Sequence, residues 1–287
     1  MQPEIGSVLQ DGHYRSIAAL IEERVGIQLP AVKRTMVEGR LRKRVRALDL
    51  DGLDAYGRLL FEEGFLSQEL THLIDCVTTN KTDFFREPSH FDFLRDEAVP
   101  RLAARGRGRA LRLKVWSAAA SIGAEAYTLA MVLDDMVRAG HEMTYGILGT
   151  DISTQVLAVA ARGIYATDML APVPPEFRRR YVMEARDPAR REGRIVPELR
   201  RQVRFQHLNL MDDRYPVDSG VHVIFCRNVL IYFDKPTQKK VVEHLARHLA
   251  PGGFLVVGHS ESMAGVGAAG LVQETSSIFR RPEGSGR

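Results

Sequence analysis

From Leu111 to Phe279, short apolar runs alternate with amphipathic stretches, and this alternation limits what the chain can fold into more than any other feature. LRLKVWSAA and residues 145–150, 203–207, 221–226 and 253–257 read as strands; residues 125–139, 153–161 and 236–249 have helical spacing. Pro236 near the start of the last helix suits a first-turn position. Residues 271–279 fit one or two closing strands. Strand–helix–strand order requires crossover connections, which build a mostly parallel, doubly wound α/β sheet with helices on both faces.

The first 76 residues have no strand signal. Residues 11–25 put Ile17, Leu20, Ile21 and Val25 on one face, with Asp11 placed to cap the helix and Gly26 and Pro30 to end it. Residues 31–48 form a second helix with Met36, Val37, Leu41, Val45 and Leu48 as its apolar stripe. Shorter helices are expected over 53–63 and 67–76, and a connecting helix over 88–104. Each must bury one face against another, so the head is a small bundle. A chain of 287 residues suits a helper domain plus a catalytic domain. The expected division is 1–78 and 79–287, with a β insertion over 177–206. Within that Arg-rich insertion, residues 194–196 and 202–205 are spaced to pair as a hairpin; a mobile excursion is the alternative.

The net charge is +4, but its distribution matters more: KRTMVEGRLRKRVR, residues 33–46, holds seven Lys/Arg and one Glu. The bland reading is a solvated helix face. The sharper one is a docking face, formed by Arg40, Arg42, Lys43 and Arg46, for an acidic partner. Aromatic residues for base stacking do not interleave with these charges, which disfavours nucleic acid. No apolar run approaches the roughly 20 residues that span a bilayer, and the opening residues do not resemble a secretory signal. A cytoplasmic protein with no direct membrane insertion is therefore expected. Cys76 and Cys226 are far apart and read as buried thiols in a reducing compartment, and no Cys/His spacing suggests a metal.

Open α/β sheets bind ligands beyond the carboxyl ends of their strands. Three positions there suit a nucleoside. The small residues of SAAASIGAEAY allow close backbone approach after the first strand. Asp151 ends the second strand, where a carboxylate accepts hydrogen bonds from ribose hydroxyls, with a helix-capping role as the alternative. Arg227 and Asn228 follow the strand HVIFC. With one glycine in the first turn, a pyrophosphate cradle is missing, so a dinucleotide is disfavoured.

The blocks TTNKTDFFRE (78–87), VWSAAASIGAEAYTLA (115–130), GTDIS (149–153), ARGIY (161–165), VIFCRNVLIYFD (223–234) and GHSES (258–262) occur in order along nearly the whole chain. Together they resemble the chemotaxis receptor methyltransferases, the CheR family. The resemblance implies a Rossmann-like class I methyltransferase sheet, an N-terminal helical domain and a small antiparallel β insertion. It also implies methyl transfer from S-adenosylmethionine to glutamate side chains on the cytoplasmic helical region of membrane chemoreceptors. The products would be methyl esters and S-adenosylhomocysteine, and the enzyme is expected to be a monomer that needs no metal. Cofactor contacts carry over onto Asn80, Thr82, Arg86, Glu125, Asp151, Asn209, Leu210, Arg227 and Asn228. Arg86 and Tyr232 match residues near the reactive methyl group, and Arg86 has two readings, cofactor carboxylate or substrate carboxylate. One departure stands out. The family turn reads A-S-T-G-E-E-P-Y, and Ile122, Ala124 and Ala126 here replace its Thr, first Glu and Pro, which puts the turn's detailed shape in question.

Overall fold

A computed structural model describes residues 8–106, 108–187, 189–261 and 270–284. The head contains α1 (Asp11–Val25), α2 (Arg34–Ala47), α3 (Leu53–Phe61) and α4 (Leu66–Val77), with a 3₁₀ turn at Ala31–Lys33 leading into α2. Ile17, Ile21, Val37, Leu41, Val45, Leu53, Tyr56 and Leu73 make its own core. Asp11 does not cap α1. Gln10 holds the cap position, and Asp11 lies in the first turn, where it pairs with Arg34.

The segment expected as a single connecting helix is continuous over 89–104 and carries a π-helical turn in its middle. It comprises α5 (Ser89–Phe93), a π-helical turn at Leu94–Ala98 and α6 (Val99–Ala104). Then follow β1 (Leu111–Ala118), α7 (Ala124–Arg138), β2 (Met143–Asp151), α8 (Thr154–Arg162), β3 (Ile164–Ala166), α9 (Pro175–Tyr181), β4 (Val182–Glu184), β5 (Glu192–Ile195) and α10 (Pro197–Gln202). The chain closes with β6 (Val203–His207), β7 (Val221–Cys226), α11 (Lys235–His248), β8 (Leu249–Val257), β9 (Val272–Gln273) and β10 (Ile278–Arg280).

The main sheet has seven strands in the order β6-β2-β1-β7-β8-β10-β9. β6, β2, β1, β7 and β8 run parallel, and β10 runs against β8. The expected doubly wound sheet is therefore present, with two closing strands. Order reverses between β1, whose neighbours are β2 and β7, and this switch point leaves a crevice at the carboxyl ends. The two faces bury separate clusters. Phe91, Leu129, Leu133, Phe225 and Phe254 lie on one side; Trp116, Ile224, Val242 and Leu255 lie on the other.

The hairpin expected within the insertion is corrected. β5 pairs antiparallel with β3 and β4, making a separate three-stranded sheet. β6 joins the main sheet parallel to β2, with Ile147 opposite Val203. Between them Pro197 starts α10 and Leu199 is fully buried. The chain takes a helical turn there instead of reversing.

Candidate functional site

A cleft lies at the switch point, beneath the head, and encloses about 930 Å³ including the space continuous with solvent at its mouth. Asn80, Thr82, Arg86, Glu125, Asp151, Asn209, Leu210, Arg227, Asn228 and Tyr232 all line it, together with Val25 and Ile27 from the head.

The floor is built by strand ends. After β1, Ala119 and Ser121 take left-handed φ values of 62° and 52°, which turns the backbone toward β2. Ser121 N donates to Asp151 Oδ2 at 2.8 Å, and Ser121 Oγ donates to Asn80 O at 2.7 Å. Asp151 Oδ1 accepts from Ser153 N at 2.9 Å. The cap of α8 is Ser153, whose side chain accepts from Val156 N, so Asp151 is not the helix cap. Burial pushes the Asp151 carboxyl up, and the N–H groups of Ser153 and Ser121 oppose that. Ile122, Ala124 and Ala126, the departures from the family turn, are not among the lining residues. Ala124 and Ala126 are fully buried in the core, and Ile122 packs against it.

Arg227 is a buried anchor. Its side chain is 2% exposed and lies between Glu125 Oε2 at 3.1 Å and Glu87 Oε2 at 3.2 Å. It also donates to Arg86 O at 2.5 Å and stacks over the Phe91 and Phe225 rings. Ser117 Oγ donates to the other Glu125 oxygen at 2.7 Å. Burial drives the Glu125 carboxyl up, with Arg227 opposing. Burial also acts on Glu87, but there the Asn228 hydrogen bond and the Arg227 charge prevail and hold the carboxyl low.

Arg86 differs from Arg227. Among the described residues its guanidinium meets no carboxylate, only Lys81 O at 3.3 Å. Phe85 and Glu87 on either side of it have φ values of 53° and 57°, conformations that each cost about 1–3 kcal/mol. With Ala119, Ser121 and Asn228 (φ 59°), most of the left-handed non-glycine residues gather around this cleft. Tyr232, in a 3₁₀ turn at Leu230–Tyr232, is partly exposed. Lys33 Nζ lies 5.5 Å from its ring centre.

Other expected site residues have structural partners. Asn209 Nδ2 donates to Arg24 O at 2.7 Å, and its Oδ1 accepts from Met211 N at 3.0 Å, so its amide binds the head to the sheet. Arg40 is also bound inward, donating to Val77 O, Thr78 O and Thr79 Oγ1. It fastens α2 to the loop that enters the cleft and does not stand on an open face. Arg42 is half-buried, whereas Lys43 and Arg46 are exposed.

Two acids were not singled out from the sequence, although both lie in recognised blocks. Glu87 holds Arg227 and the Asn228 amide. Glu261, 5% exposed, accepts four backbone N–H groups. Glu87, His90 and His259 also bring their ligand atoms within 4.8 Å of one another. Arg227 already sits on that Glu87 oxygen, so a cation there would face a guanidinium, and we read the cluster as part of the ion-pair network.

The family model for the CheR methyltransferase all-alpha domain matches residues 12–78, and that for the CheR methyltransferase SAM binding domain matches residues 80–277. The chain belongs to the CheR methyltransferase family. A chemotaxis protein methyltransferase of Klebsiella aerogenes is 41% identical over 258 residues, covering 89% of this chain and 85% of that one. The Escherichia coli chemotaxis protein methyltransferase is 40% identical, covering 89% and 86%. Chemotaxis protein methyltransferase 2 of Pseudomonas aeruginosa is 35% identical, covering 95% of each. No helix among the described residues is long and apolar enough to cross a membrane.

Proposed function

We propose that this CheR-family methyltransferase transfers a methyl group from S-adenosylmethionine to glutamate carboxylates on the cytoplasmic helices of chemoreceptors. The products are glutamate methyl esters and S-adenosylhomocysteine. The observation that carries this reading is the joint lining of one cleft by Asp151, Glu125, Arg86 and Tyr232, which come from separate parts of the chain.

The residues present fit a nucleoside sulfonium. Asp151 accepts from Ser121 N on one oxygen and from Ser153 N on the other, and its carboxylate has further lone pairs to offer to ribose hydroxyls. The turn at Ala119–Ser121 is small enough for close approach. When bound, the cofactor supplies an electrophilic methyl group.

The acceptor needs no general base, because a glutamate of ordinary pKa near 4.3 is ionised at neutral pH. The chain's work is then to hold and align the carboxylate and to exclude water, and alignment of this kind is worth roughly 7–11 kcal/mol. Of the cleft-lining cations Lys81, Arg86 and Arg227, Arg227 is already ion-paired, and Arg86, which meets no carboxylate among the described residues, carries the fork that engages two oxygens of a carboxylate. Its two readings remain those of substrate and cofactor carboxylate. Tyr232 walls the mouth beside Lys33. For receptor docking we assign Lys43 and Arg46, with Arg42 beside them, and withdraw Arg40 from that set because its fork is bound to the 77–79 backbone.

The test is transfer of labelled methyl from S-adenosylmethionine to membranes bearing candidate receptors. Alkali should release the label as methanol. Alkali-stable label would point to N-methylation and overturn the reading.

A further inference from the structure

We propose that Glu261 is a positioning residue for the methyl-transfer site, setting the pose of the 227–232 turn and through it Asn228 and Tyr232. The role in turnover rests on the function proposed above; the role in ligand affinity does not.

The geometry is specific. Glu261 Oε1 accepts from Val229 N at 2.8 Å and Leu230 N at 2.7 Å, while Oε2 accepts from Asn228 N at 2.9 Å and Gly258 N at 2.5 Å. Three of these donors are consecutive, so the carboxylate fills an anion-binding nest of backbone N–H groups. No Lys, Arg or His pairs with it among the described residues. Burial of a charge without a cation is unfavourable unless hydrogen bonds satisfy it, and here four backbone donors do so.

The turn needs such a fastening. Asn228 is held left-handed at φ 59°, and its side-chain amide is drawn away to Glu87 Oε1 at 3.2 Å. From there the backbone continues directly into the turn that carries Tyr232, where Tyr232 N donates to Val229 O at 3.1 Å. Glu261 itself is not a cleft-lining residue. It acts through Asn228, Val229 and Tyr232, which are.

Gly258 provides an independent way to disturb the same contact. A Cβ there would lie 2.6 Å from Asn228 Nδ2 and 2.9 Å from Glu261 Oε2. Alanine would thus wedge the nest apart without changing any charge. Glu261→Gln does the reverse: it keeps the size but turns an NH₂ toward N–H donors, where only an acceptor fits.

The experiment compares wild type with Glu261→Gln, Gly258→Ala and Glu261→Asp. It measures S-adenosylhomocysteine affinity by calorimetry, kcat and KM on receptor-bearing membranes, and Tm. We expect Glu261→Gln and Gly258→Ala to weaken S-adenosylhomocysteine and lower kcat, each by about tenfold or more, with receptor KM within about twofold. Glu261→Asp, which keeps the acceptor, should recover part of both. A purely structural role would lower Tm while the folded enzyme kept wild-type affinity and kcat, and that result overturns the proposal. So does failure of both Glu261→Gln and Gly258→Ala to fold. If the wild type binds S-adenosylhomocysteine but methylates no receptor, the proposed function falls, and the affinity comparison still decides the role of Glu261.

Discussion

Asp151 and His90 show how single residues here answer to their surroundings. Asp151 already accepts from Ser121 N and Ser153 N, so Asp151→Asn would force an amide NH₂ against one of these donors and disturb the ribose position as well. Hydrogen bonds to charged groups contribute about 1.5–3 kcal/mol, so S-adenosylhomocysteine affinity should fall roughly 10- to 150-fold by calorimetry. An affinity within twofold of wild type would remove Asp151 from the site. His90 is buried beside Arg227 and His259, and burial, with the Arg227 charge adding to it, lowers its pKa to about 4 from 6.5. Its folded pKa lies below its unfolded one. The unfolded chain therefore binds a proton that the folded chain refuses, and stability is lost as pH falls from about 6.5 toward about 4. The loss attributable to His90 is at most about 3 kcal/mol. Urea midpoints at pH 7 and pH 5 should converge for His90→Gln relative to wild type; equal pH slopes would refute the assignment. Most of the polar cleft residues were legible because they stand in the ordered motifs; Asn209 and Leu210 lie outside those blocks, and Val25 and Ile27 from the head carried no signal of lining the cleft. The burial of Arg227 was not, because its partners Glu125 and Glu87 are 102 and about 140 positions away, and no local pattern signals such a pairing.

At the scale of elements, α2 has two sides with different work. Val37, Leu41 and Val45 pack the head core, Arg44 pairs with Glu69 at 2.6 Å, and Arg40 grips the 77–79 backbone. This leaves Lys43 and Arg46 outward. Lys43→Glu combined with Arg46→Glu should lower receptor kcat/KM by about tenfold at low ionic strength, with the gap closing as salt rises. S-adenosylhomocysteine affinity should not change. Arg40→Ala should behave oppositely, weakening the ligand because the loop carrying Asn80 and Thr82 loses its fastening. If both variants shifted the same parameter, the division of α2 into two roles would fail. The longer helices and the main strands were legible from apolar period, with one or two closing strands expected and two found, whereas the short α9 and α10 were not. A small antiparallel β insertion was expected and is present, but its strand bounds and pairing were not legible. β3, β4 and β5 are three or four residues long, too short for alternation to register. The spacing that suggested a hairpin between 194–196 and 202–205 also contains Pro197 and Leu199, which start and anchor α10.

Across the whole molecule, the cleft is shared between head and sheet. Val25 and Ile27 form part of its wall, Gln28 N donates to Tyr232 O at 3.1 Å, and Asn209 reaches across to Arg24 O. A ligand held there contacts both bodies, so its binding energy should couple their unfolding. At a hundredfold excess over Kd, S-adenosylhomocysteine should stabilise the protein by about 2.7 kcal/mol, raising Tm by roughly 4–5 °C in a single transition. Gly26 tests the coupling. It sits at φ 72°, and a Cβ there would lie 2.6 Å from Met211 Sδ and 3.1 Å from Phe233 Cδ1. Gly26→Ala strains the α1 terminus and pushes the head off the sheet at the edge of the cleft. The expected result is weaker S-adenosylhomocysteine binding and a smaller ligand-induced rise in Tm, with the head melting first in scanning calorimetry and becoming the earlier site of proteolysis. A variant that melts at a lower temperature but keeps full affinity and one cooperative, ligand-shifted transition would mean that the sheet alone holds the ligand, and that Val25 and Ile27 only shield it from water.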